Sequence, residues 1–197
     1  DLHVSRLKVD LMTLNGGKIY GPKQSGVLYT SSKVGLEPMI YGGGQEHGLR
    51  SGTENVAGAI GFAKALDKAQ SMRQTERIRL SELQDVFIKE LAKQIPQAVV
   101  NGSLHRRLPN NVHLTIPGAD NERLVFALDA LGVQCAAGSA CSASKELASH
   151  VLKAIGLDEP SARASLRFTM GRTTTKKDVL HCVTQLSQVV AKNVSNG

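Results

Sequence analysis

Tryptophan is absent from this 197-residue chain, and three tyrosines with four phenylalanines bring the aromatic content to only 4%. So few rings leave little for bases to stack on, and the lysines and arginines behind the net charge of +7 are spread along polar helix faces. The charge therefore reads as a solvated basic surface, with no direct nucleic-acid partner. Long apolar runs are missing as well. Nothing approaches the roughly 18 consecutive apolar residues of a membrane span, and Asp1-Leu2-His3-Val4-Ser5-Arg6 lacks a signal peptide's apolar stretch. No membrane partner is expected, and the expected localisation is cytoplasmic. Cysteine is scarce: Cys135, Cys141 and Cys182 are odd in number, widely spread and without zinc-ligand spacing, so free thiols are expected rather than a disulfide framework or a metal site. Repeats and low-complexity segments are also lacking. With 41% hydrophobic residues the chain is globular and long enough to bury a real core. It opens on Asp1 rather than Met and runs almost directly into a strand-like piece, as a fragment would.

What is present alternates between strand and helix patterns. Val9 to Leu14 and Gly26 to Thr30 read as short strands separated by Asn15-Gly16-Gly17 and Lys18-Ile19-Tyr20-Gly21-Pro22-Lys23. A glycine-rich loop from Tyr41 to Thr53 leads into a helix from Asn55 to Ala69. A second helix, Arg73 to Ile95, carries Leu83, Phe87 and Leu91 on one stripe with Val86 alongside. Beyond Pro96, Val112, Leu114 and Ile116 share a strand face closed by Pro117-Gly118. There follow a helix from Asn121 to Leu131, a strand from Val133 to Ala136, a helix from Leu147 to Ile155, and a strand in which Leu166, Phe168 and Met170 alternate around Arg167. The last helix opens on Thr175 with Asp178 three residues on, a capping-box variant, and buries Val179, Val183, Leu186 and Val190. This is an α/β (α+β) pattern, and the change of character near Gln70 to Arg73 predicts a domain boundary: 1–72, then 73–197.

Four places could carry chemistry. Cys141 sits in Gly138-Ser139-Ala140-Cys141-Ser142-Ala143-Ser144, where little can shield its sulfur, so a reactive thiol is one reading and a small-residue linker the other. Lys18 follows Gly16-Gly17 at a sharp strand end, where an amine could condense with a carbonyl; an exposed loop lysine is the plainer account. Residues 42–53 place backbone donors, Arg50, Ser51 and Thr53 just before a helix N-terminus, a natural phosphate cradle, although a plain glycine-rich turn would explain the glycines. Arg167 in an apolar alternation calls for a carboxylate partner if enclosed, or simply faces water from a half-buried strand. His150 and His181 lie on amphipathic helices and receive no role.

Taken in order, Asn15-Gly16-Gly17-Lys18-Ile19-Tyr20-Gly21-Pro22-Lys23, Gly42-Gly43-Gly44-Gln45-Glu46 through Arg50-Ser51-Gly52-Thr53, Gly138-Ser139-Ala140-Cys141, and Ser165-Leu166-Arg167-Phe168 with Gly171-Arg172 resemble the cysteine desulfurases of the NifS/IscS-like branch. These are class V aminotransferases of the fold-type I pyridoxal-phosphate enzymes. The resemblance covers the family's C-terminal half. It implies that residues 1–72 are the end of the large pyridoxal-phosphate domain and 73–197 the small C-terminal α+β domain with the catalytic cysteine. It further implies pyridoxal 5'-phosphate as cofactor, Lys18 as the lysine that takes its aldehyde, and Thr53 reaching the cofactor phosphate of the opposite subunit of a homodimer. Arg167 becomes the ligand of the L-cysteine carboxylate, and Cys141 the nucleophile that takes the sulfur as a persulfide, releasing L-alanine. An iron–sulfur scaffold or another sulfur-acceptor protein, or tRNA thiolation, would receive that sulfur. The family's acidic partner of the pyridine nitrogen and its ring-stacking residue lie upstream of the lysine and have no counterpart here, so the isolated chain is expected to be incomplete as a catalyst. Two departures stand out. Gly17 and Asn15 replace the usual His and Ser, which alters contacts to the cofactor, with Asn15 the candidate contact; and Lys145-Glu146-Leu147-Ala148 follows the cysteine where relatives have Ser-Leu-Glu-Pro. A selenocysteine lyase, an aminotransferase of the same class, or a non-catalytic partner-binding fragment are the alternatives.

Overall fold

The structure, a computed structural model, describes residues 3–137 and 149–194. The chain divides into two compact units, Asp1–Gln74 and Thr75–Gly197. The first opens with a single helical turn, α1 (Val4–Leu7), and a two-stranded antiparallel hairpin, β1 (Leu11–Asn15) and β2 (Gly26–Thr30), with Leu11 opposite Thr30 and Asn15 opposite Gly26. A long helix, α2 (Val56–Gln94), begins in this unit and is capped by Asn55, whose Oδ1 accepts the Gly58 N–H at 2.9 Å.

The sequence pattern expects two helices here, broken near Gln70 to Arg73, and the structure corrects this to one helix of 39 residues. The reason is local. The polar stretch Gln70-Ser71-Met72-Arg73-Gln74 holds neither Gly nor Pro, and the Ser71 hydroxyl turns back to donate to the Lys68 carbonyl at 3.0 Å instead of opening the helix. Polarity changes which way a helix faces, not whether it continues.

The second unit is built on a three-stranded antiparallel sheet in the order β3 (Val99–Val100), β4 (Asn111–Thr115), β5 (Ser165–Thr169). One face carries Val112, Leu114, Leu166 and Phe168, all essentially without solvent contact. Against them cluster Leu83, Phe87 and Leu91 of α2, Leu124 and Leu128 of α3 (Asn121–Asp129), and Val179, Val183, Leu186 and Val190 of the C-terminal helix; the Phe87 and Phe168 rings meet at 5.2 Å. Two short helices, α4 (His150–Ala154) and α5 (Glu159–Arg163), precede β5, and α6 (Lys176–Val194) closes the chain. The expected capping box forms at α6. Thr175 N–H donates to Asp178 at 2.8 Å, and Asp178 N–H donates to the Thr175 hydroxyl at 3.3 Å.

The expected strand from Val133 to Ala136 reduces to a single bridge at Ala136, and the expected helix from Leu147 to Ile155 is seen, within the described residues, as His150–Ala154. Gly132, left-handed at φ 77°, lets Val133 N–H reach back to the Leu128 carbonyl at 2.9 Å, so residues 131–133 finish α3 before any strand pairing begins. No helix of the described structure is long and apolar enough to cross a membrane.

Candidate active site

Lys18 ends a 3-10 turn, Gly16–Lys18, at the exit of β1. Gly16 is buried, and a side chain there would strike the Ser25 hydroxyl at 2.1 Å; its N–H donates to the Ser25 carbonyl at 2.8 Å while its own carbonyl accepts from Gly21 N–H at 2.8 Å. Asn15 caps the turn, its Oδ1 accepting the Gly17 N–H at 2.8 Å. The lysine that follows is exposed, on a backbone fixed by these bonds. Gly61 of α2 allows close approach from below, since a Cβ there would meet Pro22 Cγ at 2.5 Å, and Gly21 would likewise press on Ala65. The helix thus backs the Gly21-Pro22 bend. Tyr20 and Gln24, both at φ 60°, take the left-handed backbone needed to turn so tightly.

Thr53 stands exposed two residues before the Asn55 cap, on the 42–53 loop. That loop is tied to itself. Buried Ser51 donates its N–H to the Ile40 carbonyl at 3.2 Å and accepts Gly44 N–H at 3.3 Å, Gln45 accepts Gly52 N–H at 2.9 Å, and the Arg50 guanidinium donates to the Ser51 carbonyl at 2.6 Å. Asn15 and Lys18 therefore share one turn and Thr53 occupies a second element of the same unit; no hydrogen bond joins them among the described residues. An exposed primary amine on a rigid turn and a free hydroxyl ahead of a helix N-terminus are the donor types that an aldehyde and a phosphate require, so these residues fit pyridoxal phosphate in kind.

Arg167 stands in the second unit, half-buried in the middle of β5. Its N–H donates to the Ala136 carbonyl at 2.7 Å and its carbonyl accepts from Ala136 N–H at 3.1 Å, so the two residues exchange a close pair of bonds. Asn121 at the start of α3 reinforces this edge, its amide donating to the carbonyls of Ala137 at 3.3 Å, Ala162 at 3.4 Å and Ser165 at 3.2 Å. Among the described residues no carboxylate pairs with the Arg167 guanidinium. Cys141 lies outside the described residues. The other two thiols are suppressed: burial, helped by Asp129, pushes Cys135 up to about 11, and burial, helped by Cys135, pushes Cys182 up to about 12.

Sequence reasoning missed the polar face of the sheet around Arg167. Asn101, His113, Thr115 and Ser165 form one hydrogen-bonded group there, with Asn101 Nδ2 2.8 Å from His113 Nδ1 and from Thr115 Oγ1, and the Thr115 and Ser165 hydroxyls 2.7 Å apart. Burial lowers the His113 imidazole below its ordinary value, and the positive charges of Arg167 and Arg107 lower it further. The signal was available, since Asn111, His113 and Thr115 are the off-face residues of the same strand whose Val112 and Leu114 mark the core.

The profile described as Aminotransferase class-V matches residues 1–181. The chain is 41% identical over 191 residues to a protein named cysteine desulfurase IscS from Dictyoglomus turgidum, an alignment covering 97% of this chain and 48% of that one. It is 39% identical to cysteine desulfurase IscS 1 from Archaeoglobus fulgidus, covering 98% of this chain and 50% of the relative. Among solved structures, the NifS-like protein from Rickettsia africae superposes with a TM-score of 0.86 at 30% identity over 96% of this chain and 49% of its own. The chain thus spans about half the length of the relatives it matches. Its α/β fold is that of NifS-like proteins, and its sequence aligns with theirs almost from end to end; the chain belongs to the class V aminotransferases, a family of pyridoxal-phosphate-dependent enzymes.

Proposed function

We propose that the chain carries part of a cysteine desulfurase active site, which converts L-cysteine to L-alanine and holds the sulfur as a persulfide on Cys141. The observation that carries this reading is Arg167: on a half-buried residue whose backbone is pinned to Ala136, a guanidinium without a carboxylate partner among the described residues is a ready fork for an amino acid's carboxylate. The family membership and the names of the relatives support it.

Pyridoxal phosphate, when bound, supplies the electron sink that makes the substrate Cα–H acidic. Lys18 would hold the cofactor's aldehyde and yield it to the substrate amine, its turn kept in shape by Asn15 and by the Gly16 to Ser25 bonds. Thr53 would donate to the phosphate, from the opposite subunit of a homodimer. Arg167 would orient the substrate by its carboxylate. Cys141 thiolate would attack the substrate sulfur, leaving the three-carbon remainder to be protonated and released as alanine, and an iron–sulfur scaffold, another acceptor protein or tRNA thiolation would take the sulfur onward in the cytoplasm. Residues 1–72 would then be part of the large cofactor-binding domain, and 73–197 the small domain.

The test is an assay of the gene product at its natural length with L-cysteine and a thiol reductant. Alanine and sulfide are expected in equal amounts, with loss of both in Lys18→Ala and in Cys141→Ala tested separately. Turnover that survives Cys141→Ala and prefers selenocysteine would overturn the desulfurase reading in favour of a selenocysteine lyase. The isolated 197-residue chain is expected to turn over far more slowly than the IscS relatives, because the family's ring-nitrogen partner has no counterpart on it.

A further inference from the structure

In an antiparallel ladder a residue's N–H and C=O point to the same side, and opposed residues that face away from each other form the narrow kind of pair, with Cα atoms about 4.5 Å apart. Arg167 turns both groups toward Ala136, away from β4. His113, its partner in the β4–β5 register, accepts from Asn101 N–H at 2.9 Å on the β3 side, away from β5. His113 and Arg167 are therefore a narrow pair. Their side chains leave the same face of the sheet as near as cross-strand neighbours come.

With the Asn101 amide oriented so that Nδ2, a donor, lies 2.8 Å from His113 Nδ1, Nδ1 accepts and the ring hydrogen is assigned to Nε2. Among the described residues Nε2–H has no hydrogen-bond partner, and neither has the Arg167 guanidinium beside it. Two adjacent donor groups, one neutral and one cationic, half-buried and without an acceptor among the described residues, suit an anion.

We propose that His113 is a second ligand of the substrate carboxylate, its Nε2–H donating to the same anion that the Arg167 guanidinium holds. The inference rests on the reading of Arg167 as the carboxylate ligand and adds to it a residue that makes the subsite directional. The charged groups facing His113 are Arg167 from β5 and Arg107 from the segment between β3 and β4; Asn101, which touches the ring, is neutral. An anion in the subsite would offset both arginines. Protonation of the ring would set N–H against the Asn101 NH₂, so Asn101 would have to flip its amide and re-form its bond to Thr115.

The experiment uses the whole 197-residue chain, sodium propionate as the carboxylate probe and propionamide as its neutral control, read by NMR at the Arg167 Nε–H and the His113 ring. Both signals are expected to move with propionate and not with propionamide. His113→Leu should raise the propionate dissociation constant about ten-fold, since a hydrogen bond to a charged group is lost, whereas His113→Gln, whose Nε2 donor reaches a similar point, should stay within about three-fold of wild type. In the unsubstituted chain, saturating propionate should raise the pH at which His113 titrates, a result independent of whether any variant folds. If Arg167 responds but the His113 titration is unmoved and His113→Leu binds as well as wild type, the inference is overturned and the role of Arg167 survives. If neither residue responds, both fall.

Discussion

The two units of this chain keep their shape by different means. In Thr75–Gly197 one face of a three-stranded sheet is sealed by α2, α3 and α6 around Phe87, Leu114, Leu166 and Val183. In Asp1–Gln74 Phe62 is the only large apolar side chain buried among the described residues, while Leu11, Leu28, Met39, Tyr41 and Ile60 are exposed. The hairpin and loops there are held by backbone bonds, by Asn15, Ser51 and Gln45, and by the glycine contacts at Gly21 and Gly61. A two-stranded hairpin is marginal alone. One unit is therefore stabilised by burial; the other holds its geometry chiefly through local hydrogen bonds, and Lys18, Asn15 and Thr53 sit in it.

The largest effect should come from breaking the sealed core. Phe87→Ala, which removes a fully buried ring packed at a tilt against Phe168, is expected to cost about 3–5 kcal/mol in urea denaturation, against about 0.5 kcal/mol or less for Leu28→Ala in the exposed hairpin. Comparable losses at the two positions would erase the contrast. Native-state hydrogen exchange gives the same comparison without substitution: amides of β4 and β5 should exchange orders of magnitude more slowly than those of β1 and β2.

Gln84 tests the contrast at a polar position. It is buried on α2, and its Nε2 donates to the carbonyls of Leu108 at 3.0 Å and Asn111 at 2.7 Å, fixing the segment that feeds β4. Gln84→Ala takes away the Asn111 carbonyl's side-chain donor and leaves the Leu108 carbonyl with the Asn111 N–H alone, and should cost about 1–3 kcal/mol by the same denaturation measurement.

A smaller loss, about 1 kcal/mol, is expected for Thr175→Ala at the α6 cap. The cap also has a pH signature. Hydrogen bonds from Thr175 hold the Asp178 carboxyl below its ordinary 3.8, so its contribution is present above that value and fades as pH falls through the folded titration. His113 acts in the same direction at higher pH: its folded value lies below 6.5, the unfolded chain takes the proton first, and stability falls as pH drops beneath 6.5. Acid titration of the urea midpoint should show both steps, and His113→Gln should remove the upper one.

The smallest perturbation is thiol labelling, which leaves the fold intact. Cys135 and Cys182, pushed up by burial, should resist brief iodoacetamide treatment of the native chain at neutral pH, with Cys141 alkylated first; mass spectrometry finding either of the others ahead of it would refute the reading of Cys141 as the reactive thiol.

Much of this was legible because periodicity and capping are local properties. The stripe Leu83, Phe87, Leu91, the alternation Val112, Leu114, Leu166, Phe168, and the Thr175–Asp178 box could be read from spacing, since each needs only its own helix or strand to be expressed. Motif order likewise marked Lys18, Thr53, Cys141 and Arg167 as candidates. Less legible were features that depend on what is absent or on what lies across the sheet. The unbroken α2 needed recognition that polar residues without Gly or Pro do not stop a helix, and the single bridge at Ala136 depended on how far Gly132 carries the end of α3.

By itself, then, the sequence determined the family, the amphipathic faces and the residue types at the candidate site, because these follow from side-chain chemistry and from spacing along one chain. Only the tertiary structure decided that His113 and Arg167 stand side by side as a narrow pair, that the Asn101 amide meets the His113 ring at 2.8 Å, and that Ala136 is bonded to the opposite edge of the same arginine. Strand register sets those neighbours, and register is fixed by pairing between segments some fifty residues apart, which spacing along the chain does not encode.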